Sequence, residues 1–83
     1  MKNEAIIELD VHGMNAFQAK IYIESQLKRA GSGVYRLRII HGFHRGTTLQ
    51  QMIRKEFKSH PKVIGIEIGL NQGETDLILR KLI

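Results

Sequence analysis

The chain of 83 residues contains no cysteine, which excludes a disulfide framework or a thiolate zinc site as the source of its stability. No stretch approaches the ~20 apolar residues that cross a bilayer, and the opening Met1 to Glu8 lacks the apolar run of a secretory signal. A cytoplasmic setting with no membrane partner is the expectation. Repeats, linkers and low-complexity segments are also missing. Acidic residues are missing locally: from Ser25 to Lys55 seven basic residues (Lys28, Arg29, Arg36, Arg38, Arg45, Arg54, Lys55) meet no Asp or Glu. A chain this short buries only about 60–65% of the surface its unfolded form exposes. That suits one domain over residues 1–83, with a modest core from about residue 5.

What is present is basic. Thirteen Lys and Arg against eight Asp and Glu leave a net charge of +5. Segregated positive charge attracts polyanions and raises their encounter rate, so nucleic acid is the expected partner class.

Hydropathy gives the order of elements. Ile7, Leu9 and Val11 alternate with Glu8 and Asp10 over residues 6–11, the period of a half-buried strand, and Gly13 breaks it. Asn15 with Gln18 three residues on forms a capping-box pattern. Ala16, Ala19, Ile23, Leu27 and Ala30 then make a helical stripe that Gly31 closes. Residues 35–41 read as a second strand, with Leu37 and Ile39 on one face and Arg36 and Arg38 on the other. After a loop, Thr47 or Thr48 caps a second helix, answered by Gln50 or Gln51; Leu49, Met52, Ile53 and Phe57 form its buried stripe, and His60-Pro61 ends it. Residues 63–70 and 75–82 read as strands joined through Asn71-Gln72-Gly73 into a hairpin. The fold class is α/β, in the order β-α-β-α-β-β. Right-handed crossovers put both helices on one face of a four-stranded mixed sheet, a two-layer sandwich.

This topology brings the ends of the first two strands to one edge, where open α/β sheets bind ligands. Asp10 and His12 project there from the same face, and His41 closes the second strand. Imidazoles take and give protons near neutral pH, as cleavage of a phosphodiester by general acid–base catalysis requires; Asp10 would hold His12 in one tautomer. Strict alternation puts His41 on the Leu37 and Ile39 face, toward the helices, although the glycine after it permits a turn back. Between His41 and the second helix, Gly42 and Gly46 allow close backbone approach, Arg45 supplies charge, and Thr47-Thr48 open a helix whose free N–H groups favour an anion. Phe43 is the best-placed ring for stacking on a base. His44 lies in the same loop. Asp10 and His12 could hold a divalent ion, but one carboxylate and one or two imidazoles are a thin ligand set; no other cofactor is implied.

Leu9-Asp10-Val11-His12-Gly13, His41-Gly42-Phe43-His44 and Gly73-Glu74-Thr75 before a terminal apolar strand resemble, in order and spacing, the Smr (small MutS-related) domain family. The resemblance covers nearly the whole chain. It implies a β-α-β-α-β-β sandwich and nucleic-acid binding, with DNA nicking or RNA cleavage in active members. The family's LDxH acid and histidine fall on Asp10 and His12, and the histidine and first glycine of its HGxG motif on His41 and Gly42. His44 stands where the second glycine would be, and Gly46 follows two residues later. The leading expectation is therefore an endonuclease that binds through Arg36, Arg38, Arg45 and the loop and cleaves through His12 and His41, oriented by Asp10. A DNA- or RNA-binding module without catalysis is the alternative. A binder of a small phosphorylated ligand ranks third.

Overall fold

A computed structural model describes residues 5–43 and 46–81. The elements run β1 (Ile6–Asp10), α1 (Ala16–Arg29), β2 (Arg36–Ile40), α2 (Thr48–Phe57), β3 (Gly65–Glu67) and β4 (Glu74–Ile78). The four strands form one mixed sheet in the order β1-β2-β4-β3. β1 and β2 are parallel, with Glu8 opposite Arg38, while β4 runs antiparallel to both β2 and β3. The β-α-β-α-β-β order and the β3–β4 hairpin agree with the sequence pattern.

The core lies between the sheet and the two helices. Leu9, Val11, Leu37, Ile39 and Leu77 from the sheet side meet Ala19, Ile23 and Leu27 of α1 and Ile53 and Phe57 of α2. These are the residues that the period of two in the strands and the 3-to-4 spacing in the helices place inward. Leu49 and Met52 pack at the margin of this cluster. Asn15 caps α1 as its sequence predicts: its side chain accepts from the Gln18 amide at 2.8 Å, and the Gln18 side chain accepts from the Asn15 amide at 3.1 Å.

Four expectations change. Helix α1 ends on Ala30 in an extended conformation rather than through a left-handed Gly31, which instead opens a turn in which its carbonyl accepts from the Val34 amide at 3.1 Å. Thr47 is the N-cap of α2 but makes no side-chain cap bond; its hydroxyl instead accepts from the Gln51 side chain at 2.8 Å. Strand β3 is three residues long, not eight. Beyond Glu67 the opposing segment of β4 is led away by the Asn71–Gly73 turn, which bonds to the end of β2, so Ile68 and Leu70 stand exposed without a ladder. Likewise β4 ends at Ile78, and Leu82 lies outside the described residues.

Phe57 is the largest side chain to be fully buried. Its replacement by alanine should lower unfolding free energy by about 3–5 kcal/mol, whereas Leu70→Ala, at a fully exposed position, should change it by less than about 0.5 kcal/mol. Urea unfolding of the two variants checks both.

Candidate functional site

Three segments meet at the edge where β1 and β2 end and β4 begins. The first is the turn after β1. The Met14 amide donates to the Val11 carbonyl at 3.0 Å, and Gly13 takes φ +89°, a left-handed value that suits glycine at the third position of a β-turn. This turn leaves His12 and Asp10 exposed, with 70% and 54% of their side-chain surfaces open. One oxygen of Asp10, Oδ1, accepts both the His12 backbone amide, at 3.1 Å, and the His12 Nδ1–H, at 2.5 Å. The side-chain bond first, then the backbone bond, holds the Asp10 carboxyl below its ordinary range. An ionised carboxylate only accepts, so Nδ1 carries the proton. In the neutral ring Nε2 then bears the lone pair.

The second segment is His41-Gly42. Gly42 has φ +73°, and a Cβ built on it would sit 3.7 Å from the Cβ of His12. The histidine before it points the other way. His41 is buried, as its parity with Leu37 and Ile39 requires. Its Nδ1–H donates to the Gly42 carbonyl at 2.7 Å, and Thr75, buried at the start of β4, sits 2.9 Å from Nε2. Burial pushes the His41 imidazole below the usual histidine range, and the neighbouring Arg54 guanidinium adds to this against the Gly42 carbonyl. A neutral ring protonated on Nδ1 makes Nε2 the acceptor, so the Thr75 hydroxyl donates to it. Arg54 of α2 in turn donates its Nε–H to Thr75 Oγ1 at 3.2 Å. The structure thus separates the two histidines that the sequence pairs. His12 faces solvent, while His41 is the middle of an interior chain from α2 through β4 to the loop.

The third segment, Asn71–Gly73, locks the edge. The Gly73 carbonyl accepts from both the His41 and Gly42 amides, at 2.8 and 2.9 Å, and the Asn71 side chain accepts the Gly73 amide at 2.8 Å. A Cβ on Gly73 would lie 3.3 Å from the Gly42 Cα, a tight contact that favours glycine at 73, while Gly42 is favoured by its positive φ.

The remaining predicted residues divide into two groups. Gly46 has φ +97° and closes a turn on the Phe43 carbonyl at 3.1 Å; Phe43, Thr47 and Thr48 are exposed around it. His44 and Arg45 lie outside the described residues. Arg36 and Arg38 are engaged on the sheet face away from the helices. Arg36 bonds Asp76 at 2.5 Å and pairs with Glu67 at 2.9 Å, and Arg38 grips Asp76 with two bonds of 3.1 Å and faces Glu74 at 3.8 Å. Burial pushes the Asp76 carboxyl up, but Arg38 and Arg36 outweigh it and hold the group below its ordinary value. Two cations among three carboxylates carry a local charge of −1, so this face is not the open basic patch that the acid-free stretch suggests. Among the described residues, no three His, Asp or Glu side chains gather as a metal site would require. No described helix is long and apolar enough to cross a membrane.

Sequence reasoning did not assign Thr75, Arg54 or Asp76 to this region. The strand parity of His41 was the available signal for the first two. Nothing local marks Asp76, because its partners are 38 and 40 residues away.

Comparison with known proteins bears on the same residues. The model of the Smr domain family matches residues 9–75, which spans Asp10, His12, His41 and Thr75. The fold is similar to the crystal structure of the Smr domain of Thermus thermophilus MutS2, with a TM-score of 0.81 and 25% sequence identity, covering 90% of this chain and 99% of that one. No curated protein matches.

His41 supplies a pH test. Because its folded-state pKa lies below the unfolded value of about 6.5, folding favours the neutral ring. The stabilisation is complete above about pH 6.5 and is lost as pH falls below it through the folded-state pKa. The urea midpoint should therefore drop from pH 7 to pH 5, and His41→Ala, less stable at pH 7, should show a flatter dependence over that interval.

Proposed function

The chain belongs to the Smr domain family, and we propose that it is a nucleic-acid-binding domain that cleaves phosphodiesters through the Asp10–His12 pair. The observation that carries this reading is the geometry of His12: Nδ1 is fixed by a carboxylate, the side chain is largely exposed, and the Gly42 backbone lies beside its Cβ. Such a ring can take a proton from an attacking hydroxyl, either water or a ribose 2′-OH, while Asp10 stabilises the imidazolium that forms. The new phosphorus–oxygen bond forms as the bond to the leaving oxygen breaks, and that oxygen takes a proton from solvent. The exposed start of α2 provides backbone N–H groups for the phosphate, and Gly42 and Gly46, whose own amides are bonded within the fold, provide space beside it.

In this reading His41 is a positioning residue, not a second acid–base group. It acts through Gly42, whose carbonyl it holds. The same burial favours the alternative of a binding module without catalysis, since among the described residues it leaves one exposed imidazole, not two, at the edge.

The two readings separate on His12. His12→Ala should reduce cleavage of labelled single- or double-stranded DNA or RNA by about 10²–10⁴-fold while leaving affinity nearly unchanged. Asp10→Asn should give a smaller loss if Asp10 orients the ring, and a complete and chelator-mimicked loss if it holds an essential metal. Full activity in His12→Ala, or no cleavage by pure wild type, leaves the domain as a binder.

A further inference from the structure

The sheet edge opposite His12 carries the molecule's positive charge. There α1 and α2 end, β1 and β2 begin, β3 begins and β4 ends. Beside Ala5 and Ile6 at the start of β1, three segments build it, residues 27–36, 57–65 and 78–81, and none of these described residues is Asp or Glu. Cross-links hold them together. Lys62 Nζ donates to the Leu27 carbonyl at 2.7 Å, Arg80 Nε–H to the Val34 carbonyl at 3.2 Å, and the Leu79 amide to the Tyr35 carbonyl at 2.7 Å.

Setting aside Arg36, which is paired with Asp76 and Glu67, these segments present Lys28, Arg29, Lys58, Lys62, Arg80 and Lys81. None of the six has a carboxylate partner among the described residues. The acids on the two helices do not serve them: Glu56 pairs with Lys20, and Glu24 makes no ion pair among the described residues. Six positive charges exceed the net +5 of the chain, so everything else, with seven basic and eight acidic residues, nets −1. Cations at helix C-termini ordinarily offset the macrodipole, but two helices present only about −1 in total. Lys62, Arg80 and Lys81, moreover, are not on helices.

We propose that this pole is the main electrostatic anchor for the nucleic-acid backbone. The inference rests on the nucleic-acid reading given above and relocates its ionic contacts from Arg36 and Arg38 to the far edge. From Ile6 to His12 is six residues of mostly extended chain, roughly 20 Å. A bound strand therefore runs the length of the domain, its backbone held at the pole while another part lies at His12. At 3.4 Å per base pair, a duplex shorter than roughly six pairs cannot reach both.

The test uses exposed cations whose side chains make no hydrogen bond among the described residues: Lys28→Gln, Arg29→Gln, Lys58→Gln and Lys81→Gln combined, with the urea midpoint as the check on folding. Affinity for 20-residue DNA and RNA duplexes is measured across a salt series, beside vesicles of phosphatidylserine. The combined variant should lose at least about tenfold in affinity near 0.1 M salt, and its log–log salt slope should flatten by about 0.9 for each phosphate contact removed. If the wild type binds nucleic acid and the folded variant binds equally well with the same slope, the pole is not the anchor, although the nucleic-acid reading stands. If the wild type binds no nucleic acid at low salt, or binds vesicles in its place, both inferences fall.

Discussion

The Gly73 carbonyl is shared between two consecutive amides, those of His41 and Gly42, and the organisation of the edge depends on this contact. It ties the first residue before β4 to the last turn of backbone after β2, and so sets where the antiparallel β2–β4 ladder begins and ends. It also favours glycine at 73, where a Cβ would crowd the Gly42 Cα, while Gly42 itself takes a positive φ. With Gly42 held there in a left-handed conformation, the chain leaves the sheet beside His12, and the side chain of His41 stays behind in the core. The interior chain of Arg54, Thr75 and His41 braces the same junction from the helix side. A carbonyl with two donors, a neutral imidazole and a guanidinium thus fix one backbone crossing, and the exposed pair at Asp10 and His12 lies against it.

Electrostatics follow the topology more than the sequence. The long acid-free stretch contains Arg36 and Arg38, yet β4 is inserted beside β2 and brings Asp76 and Glu74 onto their face, with Glu67 added from β3. Charges that are distant in the chain cancel there. The same strand order gathers basic residues from the ends of α1, α2 and β4 at the other edge, where no acid among the described residues joins them. The neutralised pair would be costly to disrupt, because breaking a partly buried ion pair strands the remaining charge.

Much of this was legible in the sequence, and the limits have physical causes. The order of elements, the helix cap at Asn15 and the inward residues follow from local periodicity and from hydrogen bonds spanning three residues. The Asp10–His12 pair follows from alternation alone. Alternation also assigned His41 to the helix side, and the structure bears out that parity over the idea of two histidines facing each other. The missed features are all non-local. The length of β3 depends on where the Asn71–Gly73 turn docks, Asp76 on strands paired across almost 40 residues, and Thr75 on a contact with His41. Each is decided by the β1-β2-β4-β3 order, which a pattern of hydrophobic periods does not contain.

The Asp10–His12 pair is also economical in what it requires of the rest of the chain. A single carboxylate oxygen orients both the backbone and the ring of a residue two positions away, so the unit is assembled within three consecutive residues at the end of β1, an edge strand of the sheet. The loop after β2 comes from a different part of the chain and contributes none of those bonds. A change in that loop therefore leaves both bonds that orient the ring in place. The set of the ring and the shape of the surface beside it are separately adjustable in this fold.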